Sequence, residues 1–461
     1  MKLQVEGTRG VLRFVPPRLN HLVLSFARVL AHRYLRSSLH LRVQTPGNID
    51  TILQEYQRFF RDESKLILVF RHVHVHDAQV MFYLFNNIVH RQARKRGIKF
   101  PRRPHAHFLY GRGVPVWGGK YLEWVFSRLG GIPVHHRKMD REGLDVVRRY
   151  LLQGRYPIAL APEGQVTYHN QVVHDIEPGF AQLALWARED AEQAGQNREV
   201  RILPISQYYH YGKDGVKIRA ELIDTLLREA GLDVSEDPQN PAAVQPRMRE
   251  IGAQLLSKIE SFYSRYYGIT ALDPAHAEIR LDDCSRTRVE HLVDEILKMQ
   301  EQRLGIIHPP KGFTPRIYIV RMAGWNRIFV QKQDGAANST DSPLDQELQD
   351  YIAAEAGLCA RHLEVVDLLA YLQPEHALQS EDVNRHIEFL LNLLDAINRL
   401  KGGTIGQRFH TRSSEVSISI GTPISLNSIF EKSQNISARQ ARKQLLEQVE
   451  YQFKQLAGGG S

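Results

Sequence analysis

Residues 65–79 read KLILVFRHVHVHDAQ, and the change of texture inside this stretch decides the fold class. Positions 66–70 form a continuous apolar run of strand length. The short polar stretch 71–76 follows, and Asp77 then precedes a helical pattern from Ala78 to about Arg96, where an aspartate makes a good N-cap. Strand-like runs recur at 107–110, 132–135, 158–161, 201–205 and 216–223, and helical patterns at 120–129, 141–153 and 179–192 separate most of them. Strands alternating with helices define an α/β domain whose sheet is mostly parallel and flanked by helices. This reading places the domain at 65–270 and closes it with a helix over 248–267.

The flanks read differently. Residues 1–64 form a basic helical N-terminal segment. Within 18–42, Leu19, Leu22, Val23, Phe26, Leu30 and Leu35 supply apolar positions, while Arg28, Arg33, Arg36 and Arg42 supply charge. Such a helix either lies on a membrane surface or packs with a solvated basic face. Residues 271–457 form a mainly helical C-terminal region, and 458–461 a flexible tail. In that region Ser285 caps a helix carrying Val289, Leu292, Val293, Ile296 and Leu297, with Gly305 as its stop. Ser380 and Gly402 frame another helix, and 334–342 is a polar linker. One late stretch, EVSISIGTPI at 415–424, alternates Val416, Ile418 and Ile420 with serines. Alternation implies a strand with one face in water, which suits a sheet edge. The expectation is that this strand returns to the edge of the first sheet, so that 225–410 is a large insertion.

Composition narrows the classes. The chain has 461 residues, which suggests two to four domains of roughly 100–200 residues each. No apolar run reaches the roughly 18 residues a membrane-spanning helix needs, and the first residues lack the pattern of a secretory signal. The expected location is cytoplasmic, with peripheral membrane association. The two cysteines, Cys284 and Cys359, cannot form a disulfide framework or a cysteine zinc site, and both read as core residues. Lys and Arg outnumber Asp and Glu by 60 to 51, for a net charge of +9. Between Arg91 and Arg103, seven of thirteen positions are basic. The partners this charge fits are an anionic membrane surface, an acidic acyl-carrier protein or the phosphates of coenzyme A. No helix-turn-helix, zinc finger or ribonucleoprotein pattern accompanies it, so nucleic acid is not expected.

The chemistry centres on His72 and Asp77, which have four residues between them at a strand-to-helix junction. An imidazole held by a carboxylate has its tautomer and orientation set and can take a proton from a hydroxyl. Three further stretches follow in order: GGKYLEWVFSRLGGIPVHHR, ending in a short strand and Arg137; ALAPEGQVTYHN, a strand running into Pro162-Glu163-Gly164; and the strand ILPI at 202–205. With these four blocks, the region 65–225 resembles the glycerolipid acyltransferase superfamily, which includes the lysophosphatidate acyltransferases. The family's His-x-x-x-x-Asp block is matched by His72 and Asp77. Its second block is matched by Lys120, Gly130 to Val134 and Arg137, its Pro-Glu-Gly-Thr block except at Gln165, and its apolar-Pro-apolar strand by Leu203-Pro204-Ile205.

The resemblance implies an O-acyltransferase of phospholipid biosynthesis. His72 would act as general base oriented by Asp77, and Lys120, Arg137, Glu163, Gly164 and Gln165 would bind substrate. The donor would be an acyl thioester, acyl-CoA or acyl-carrier protein, and the acceptor a hydroxyl of a lysophospholipid or related lipid. No cofactor and no metal is implied. The chain departs from the family at Gln165-Val166-Thr167 and at Glu177-Pro178-Gly179, positions that help hold an acceptor phosphate in typical members. Two other functions compete. His72, His74 and His76 followed by Asp77 suggest a metal-dependent hydrolase, for which His105, His107, His135, His136, His169 and His174 could add ligands. The other competitor is a non-catalytic membrane- or carrier-binding relative.

Overall fold

The computed structural model describes residues 7–10, 12–135, 140–196, 198–233, 241–270, 285–330, 342–411, 414–432 and 436–458. The chain divides into two compact units, one of Phe14–Gly212 with His410–Ser461, the other of Met1–Arg13 with Lys213–Phe409. The divisions therefore do not fall at 64/65 and 270/271.

The first unit is α/β. Its strands are β1 (Leu41–Val43), β2 (Ser64–Phe70), β3 (His107–Gly111), β4 (Ile132–Val134), β5 (Ile158–Leu160), β6 (Glu199–His210), β7 (Ser414–Ile420) and β8 (Ile424–Ser425). They form one sheet in the order β1-β7-β6-β2-β5-β3-β4, with β8 beside the first half of β6. β2 to β6 are mutually parallel, whereas β7 and β8 run antiparallel to β6. All seven residues of β2 are buried, which is why its sequence is an apolar run without alternation. Leu66, Leu68 and Phe70 point into a core shared with the helices Ile49–Phe60 and Asp77–Tyr83. Ile67 and Val69 point into the opposite core, shared with Arg141–Gln153, Gly179–Gln193 and Ala438–Gly458.

The late strand joins this sheet, so the chain leaves it after β6 and returns through β7. Its place is inside the edge, because β1 pairs with its other side. Residues 18–42 are accordingly not one helix. A helix His21–Arg33, capped by Asn20, continues into a π-type turn Tyr34–Ser38, and the chain then straightens into β1.

The helix His21–Arg33 is polarised the unusual way round. It buries Leu24, Arg28 and Ala31, with the Arg28 guanidinium on Asn86 Oδ1 (2.9 Å) and the carbonyl of Pro104 (3.1 Å). Outward it presents Leu22, Phe26 and Val29, which are 83%, 66% and 75% exposed.

The second unit is mainly helical among the described residues, with one short parallel pairing of Arg9–Gly10 with Phe329–Val330. Its longer helices are Gly215–Ala230, Pro241–Tyr267, Arg286–Arg303, Phe313–Ile328, Pro343–Leu369 and Val383–Leu400. The stretch 216–223, expected as a strand, lies in the first of these. Over four residues its spacing resembles alternation, but burial of Arg219, Ala220, Ile223, Leu226, Leu227 and Ala230 follows the helical period, and Gly231 ends the helix at φ 71°. Ser285 caps its helix as expected, and Val289, Leu292, Val293, Ile296 and Leu297 are all buried. Cys359 is buried in this unit, while Cys284 and residues 334–341 lie outside the described residues.

Candidate active site

A parallel sheet brings the chain out of successive strands at one edge. Here the segments after β2, β5 and β3 carry residues 71–76, 161–178 and 112–120, so the first and third sequence blocks, with Lys120 of the second, leave the sheet at the same edge. β6 runs beyond the end of β2, since Phe70 pairs with Ile205 while β6 continues to His210. That overhang stands beside the loop after β2.

His72 and Asp77 meet. His72 Nδ1 lies 3.0 Å from Asp77 Oδ2, with the imidazole 25% exposed and the carboxylate fully buried. Asp77 does not cap its helix, as the sequence suggested; the helix begins at Asp77 itself and its carboxylate turns back toward the loop. It accepts the amide N–H of His74 on Oδ2 (2.7 Å) and the hydroxyl of Tyr209 on Oδ1 (2.6 Å). Three donors on one buried carboxylate fix its plane. With Nδ1 as the donor to Asp77, Nε2 of His72 is the nitrogen left as acceptor, and no described residue supplies it a hydrogen bond.

The backbone of His72 is held from both sides. Its N–H donates to Glu163 Oε2, and its carbonyl accepts the N–H of Thr167 at 2.8 Å. Gln207 on β6 donates to the carbonyl of Arg71, and the N–H of Arg71 donates to the carbonyl of Ile205. The Arg71 guanidinium is wholly buried. It pairs with Glu163 Oε1 at 3.3 Å and donates to the carbonyls of His169, Asn170 and Val172. Glu163, expected to bind substrate, thus has both oxygens taken by Arg71 and the His72 amide, and it ties the loop after β5 to the loop after β2. In that same loop Tyr168 takes a left-handed backbone (φ 59°), a costly conformation that persists where the surroundings over-determine it.

A testable consequence lies in this buried pair. Glu163→Ala leaves the Arg71 charge buried without its counter-ion, an error that costs about 3–5 kcal/mol. Urea unfolding of the variant should show a loss of that order, while Glu163→Gln, which keeps an acceptor for the His72 amide, should lose less. Equal stability of Glu163→Ala and wild type would show that the pair does not hold the loop.

The remaining expected residues are less gathered. Gly164 follows at φ 75°, a turn that favours glycine, with its N–H on the carbonyl of Ala161. Gln165 is half-buried in the same loop. Lys120 is exposed at the start of the helix Tyr121–Arg128, beyond the C-terminal end of β3. Arg137 and His136 lie outside the described residues.

Four residues escaped the sequence reading. Tyr209 and Gln207 follow the ILPI strand with no motif to mark them, and Arg71 precedes His72 as an ordinary polar residue. His410, at the return of the chain, was equally silent. Its ring stands 4.7 Å from that of His76 and 5.7 Å from that of His74, centroid to centroid. His74 in turn stacks on Tyr209 at 4.6 Å and 26°. Burial, reinforced by the neighbouring His410, pushes His76 down to about 3, so this imidazole is neutral at physiological pH. Among the described residues no three His, Cys, Asp or Glu side chains are arranged to hold a metal ion. His105 and His107 are buried structural groups, bonded to the carbonyls of Leu129 (3.0 Å) and Gly130 (2.9 Å). A cavity of about 310 Å³ in this unit, lined in part by Asn48, Glu55, Arg58, Arg201 and Thr422, contains no residue of the 71–77 loop.

No family model, curated protein or solved structure matches this chain. What stands is an α/β fold with a mostly parallel sheet and, at its edge, a buried carboxylate aligned on a partly exposed imidazole.

Proposed function

We propose that the chain is an O-acyltransferase that moves a fatty acyl group from an acyl thioester to the hydroxyl of a lysophospholipid or related lipid. The observation that carries this reading is the His72–Asp77 contact, with Nδ1 committed to the carboxylate and Nε2 left for a substrate. The acceptor hydroxyl gives its proton to Nε2 as its oxygen attacks the thioester carbon. The resulting tetrahedral oxyanion collapses, the C–S bond breaks, and the departing thiolate takes the proton from the imidazolium. Asp77 stabilises that imidazolium without itself being protonated. Neither a covalent acyl-enzyme nor a cofactor is needed, and the thioester comes from acyl-CoA or an acyl-carrier protein. Lys120, Arg137, Gly164 and Gln165 are proposed to meet the acceptor, with Glu163 acting through the loop it anchors. The test is incubation of the purified chain with labelled palmitoyl-CoA and a panel of lysophospholipids, reading ester formation and thiol release. Thioester consumption without ester product would overturn the reading.

The same proposal places the protein on a membrane surface. Among the described residues no helix is long and apolar enough to cross one. Support comes from the outward apolar face of His21–Arg33 and from the exposed bases Arg91, Arg94, Lys95, Arg96, Lys99 and Arg102. Each base near an anionic bilayer adds about 1 kcal/mol, and that part is screened by salt. Binding to vesicles rich in phosphatidylglycerol should fall as salt rises from about 0.05 to about 0.5 M. Phe26→Glu should weaken it at either salt, because it attacks the apolar part. Flotation insensitive to salt, lipid charge and Phe26→Glu would count against the proposal.

A further inference from the structure

We propose that Tyr209 is a positioning residue for the His72–Asp77 pair, aligning the carboxylate from the side opposite the imidazole. The inference rests on the general-base reading of His72 and deepens it.

The geometry is specific. Asp77 Oδ2 carries two donors, His72 Nδ1–H and the His74 amide, whereas Oδ1 carries the Tyr209 hydroxyl at 2.6 Å. A carboxylate gripped only through Oδ2 can swing about that oxygen and take the imidazole with it. The Tyr209 hydroxyl closes off that swing. Tyr209 is itself fixed on every side. Its N–H donates to Asn170 Oδ1 and its carbonyl accepts Asn170 Nδ2, both at 2.9 Å. Its partner across the sheet is Val416 on β7, and His74 stacks on its ring. Burial, then the Asp77 charge, pushes its hydroxyl well above the ordinary tyrosine range, so the group stays a donor wherever the protein is folded. The other titratable groups in this surrounding are Tyr211, His74, His76, His410 and the Arg71–Glu163 pair. The two oxygens of that buried pair are satisfied internally, and His76 is uncharged.

Removing the hydroxyl with Tyr209→Phe has two opposed effects. The carboxylate's charge is less dispersed, so it draws the imidazolium more strongly and favours the protonated ring. A more basic imidazole is a slightly better proton acceptor, but loss of alignment outweighs that gain, because sub-ångström misplacement of a reacting group is costly.

The experiment combines kinetics with selective NMR on the full chain. With palmitoyl-CoA and 1-acyl-glycerol 3-phosphate as probes, Tyr209→Phe should lower kcat about tenfold while KM changes less than about twofold. Ring ¹⁵N shifts should show the His72 titration midpoint raised in Tyr209→Phe. In an Asp77→Asn background the added Tyr209→Phe should move that midpoint no further, since the residue acts through Asp77. A second measurement does not need the phenylalanine variant to fold: in ¹³Cζ-tyrosine-labelled protein at neutral pH, Asp77→Asn should move the Tyr209 ¹³Cζ resonance, because the hydroxyl then donates to a neutral amide in place of a carboxylate. Unchanged kcat and His72 midpoint in Tyr209→Phe would overturn the proposal, as would a Tyr209 ¹³Cζ resonance indifferent to Asp77→Asn. A His72→Ala chain that keeps its turnover would instead overturn the general-base reading, and the titrations separate the two failures.

Discussion

Replacing His72 with alanine should lower acyl transfer by about 10²–10⁴-fold, the range a positioned general base contributes. In the proposed acyl transfer the alcohol attacks the thioester only as its proton leaves, and His72 Nε2 is the proposed acceptor. Folding should survive this change, because the His72 backbone, not its ring, carries the bonds to Glu163 and Thr167. Asp77 behaves differently. Asp77→Ala leaves the His74 amide and the Tyr209 hydroxyl without their acceptor, and each stranded buried donor costs about 1–3 kcal/mol. A dead Asp77→Ala chain could therefore be an unfolded one. Asp77→Asn keeps one acceptor oxygen and the volume, and it should lose activity by a factor comparable to His72→Ala with a smaller loss of stability. The pair of variants, followed by thiol release from palmitoyl-CoA and by thermal unfolding, separates the chemical role from the structural one. Near-normal turnover in either His72→Ala or Asp77→Asn would remove the catalytic assignment.

The parts of this site that the sequence announces are those written in local pattern. β2 is legible because a strand covered on both faces is apolar throughout, and the His72–Asp77 pair follows directly from where that run stops. β7 is legible from strict alternation over Val416, Ile418 and Ile420, whose side chains are buried while the serines between them are half-exposed. The parts that stay silent depend on contacts far apart in the chain. Tyr209 reaches Asp77 across 132 positions, and Arg71 reaches Glu163 across 92. Nothing near either residue marks it as a partner. The errors also have local causes. Residues 216–223 span too short a window to separate the two periods, and β1 is only three residues long, set soon after a helix and its π-type turn. Division of the chain into domains fails for a related reason, since burial of the alternating face of β7 requires a strand more than 200 positions earlier.

A chain ending at Phe409 should therefore fail to fold its α/β unit, although it contains His72, Asp77 and all four sequence blocks. Truncation there removes β7 from between β1 and β6, exposing two unsatisfied strand edges. It also removes the helix Ala438–Gly458, whose Ala441, Leu445, Val449 and Phe453 are buried in the core shared with the sheet. Burying a Leu, Val or Phe side chain contributes about 1.5–3 kcal/mol each. The loss of Leu445, Val449 and Phe453, with Val416, Ile418, Ile420 and Ile424 from the strands, rivals the roughly 5–15 kcal/mol that holds a domain together. The complementary chain should behave in the opposite way. His210 pairs with Glu415 across β6 and β7, so the two ends of the excised segment start from neighbouring strands about 5 Å apart. Joining 14–212 to 410–461 through about four glycine and serine residues closes them as a long hairpin loop. That chain should unfold cooperatively in urea, while 1–409 should be aggregated or lack a cooperative transition. A soluble 1–409 chain with a cooperative transition and undiminished thiol release from palmitoyl-CoA would show that the returning segment is dispensable to the sheet.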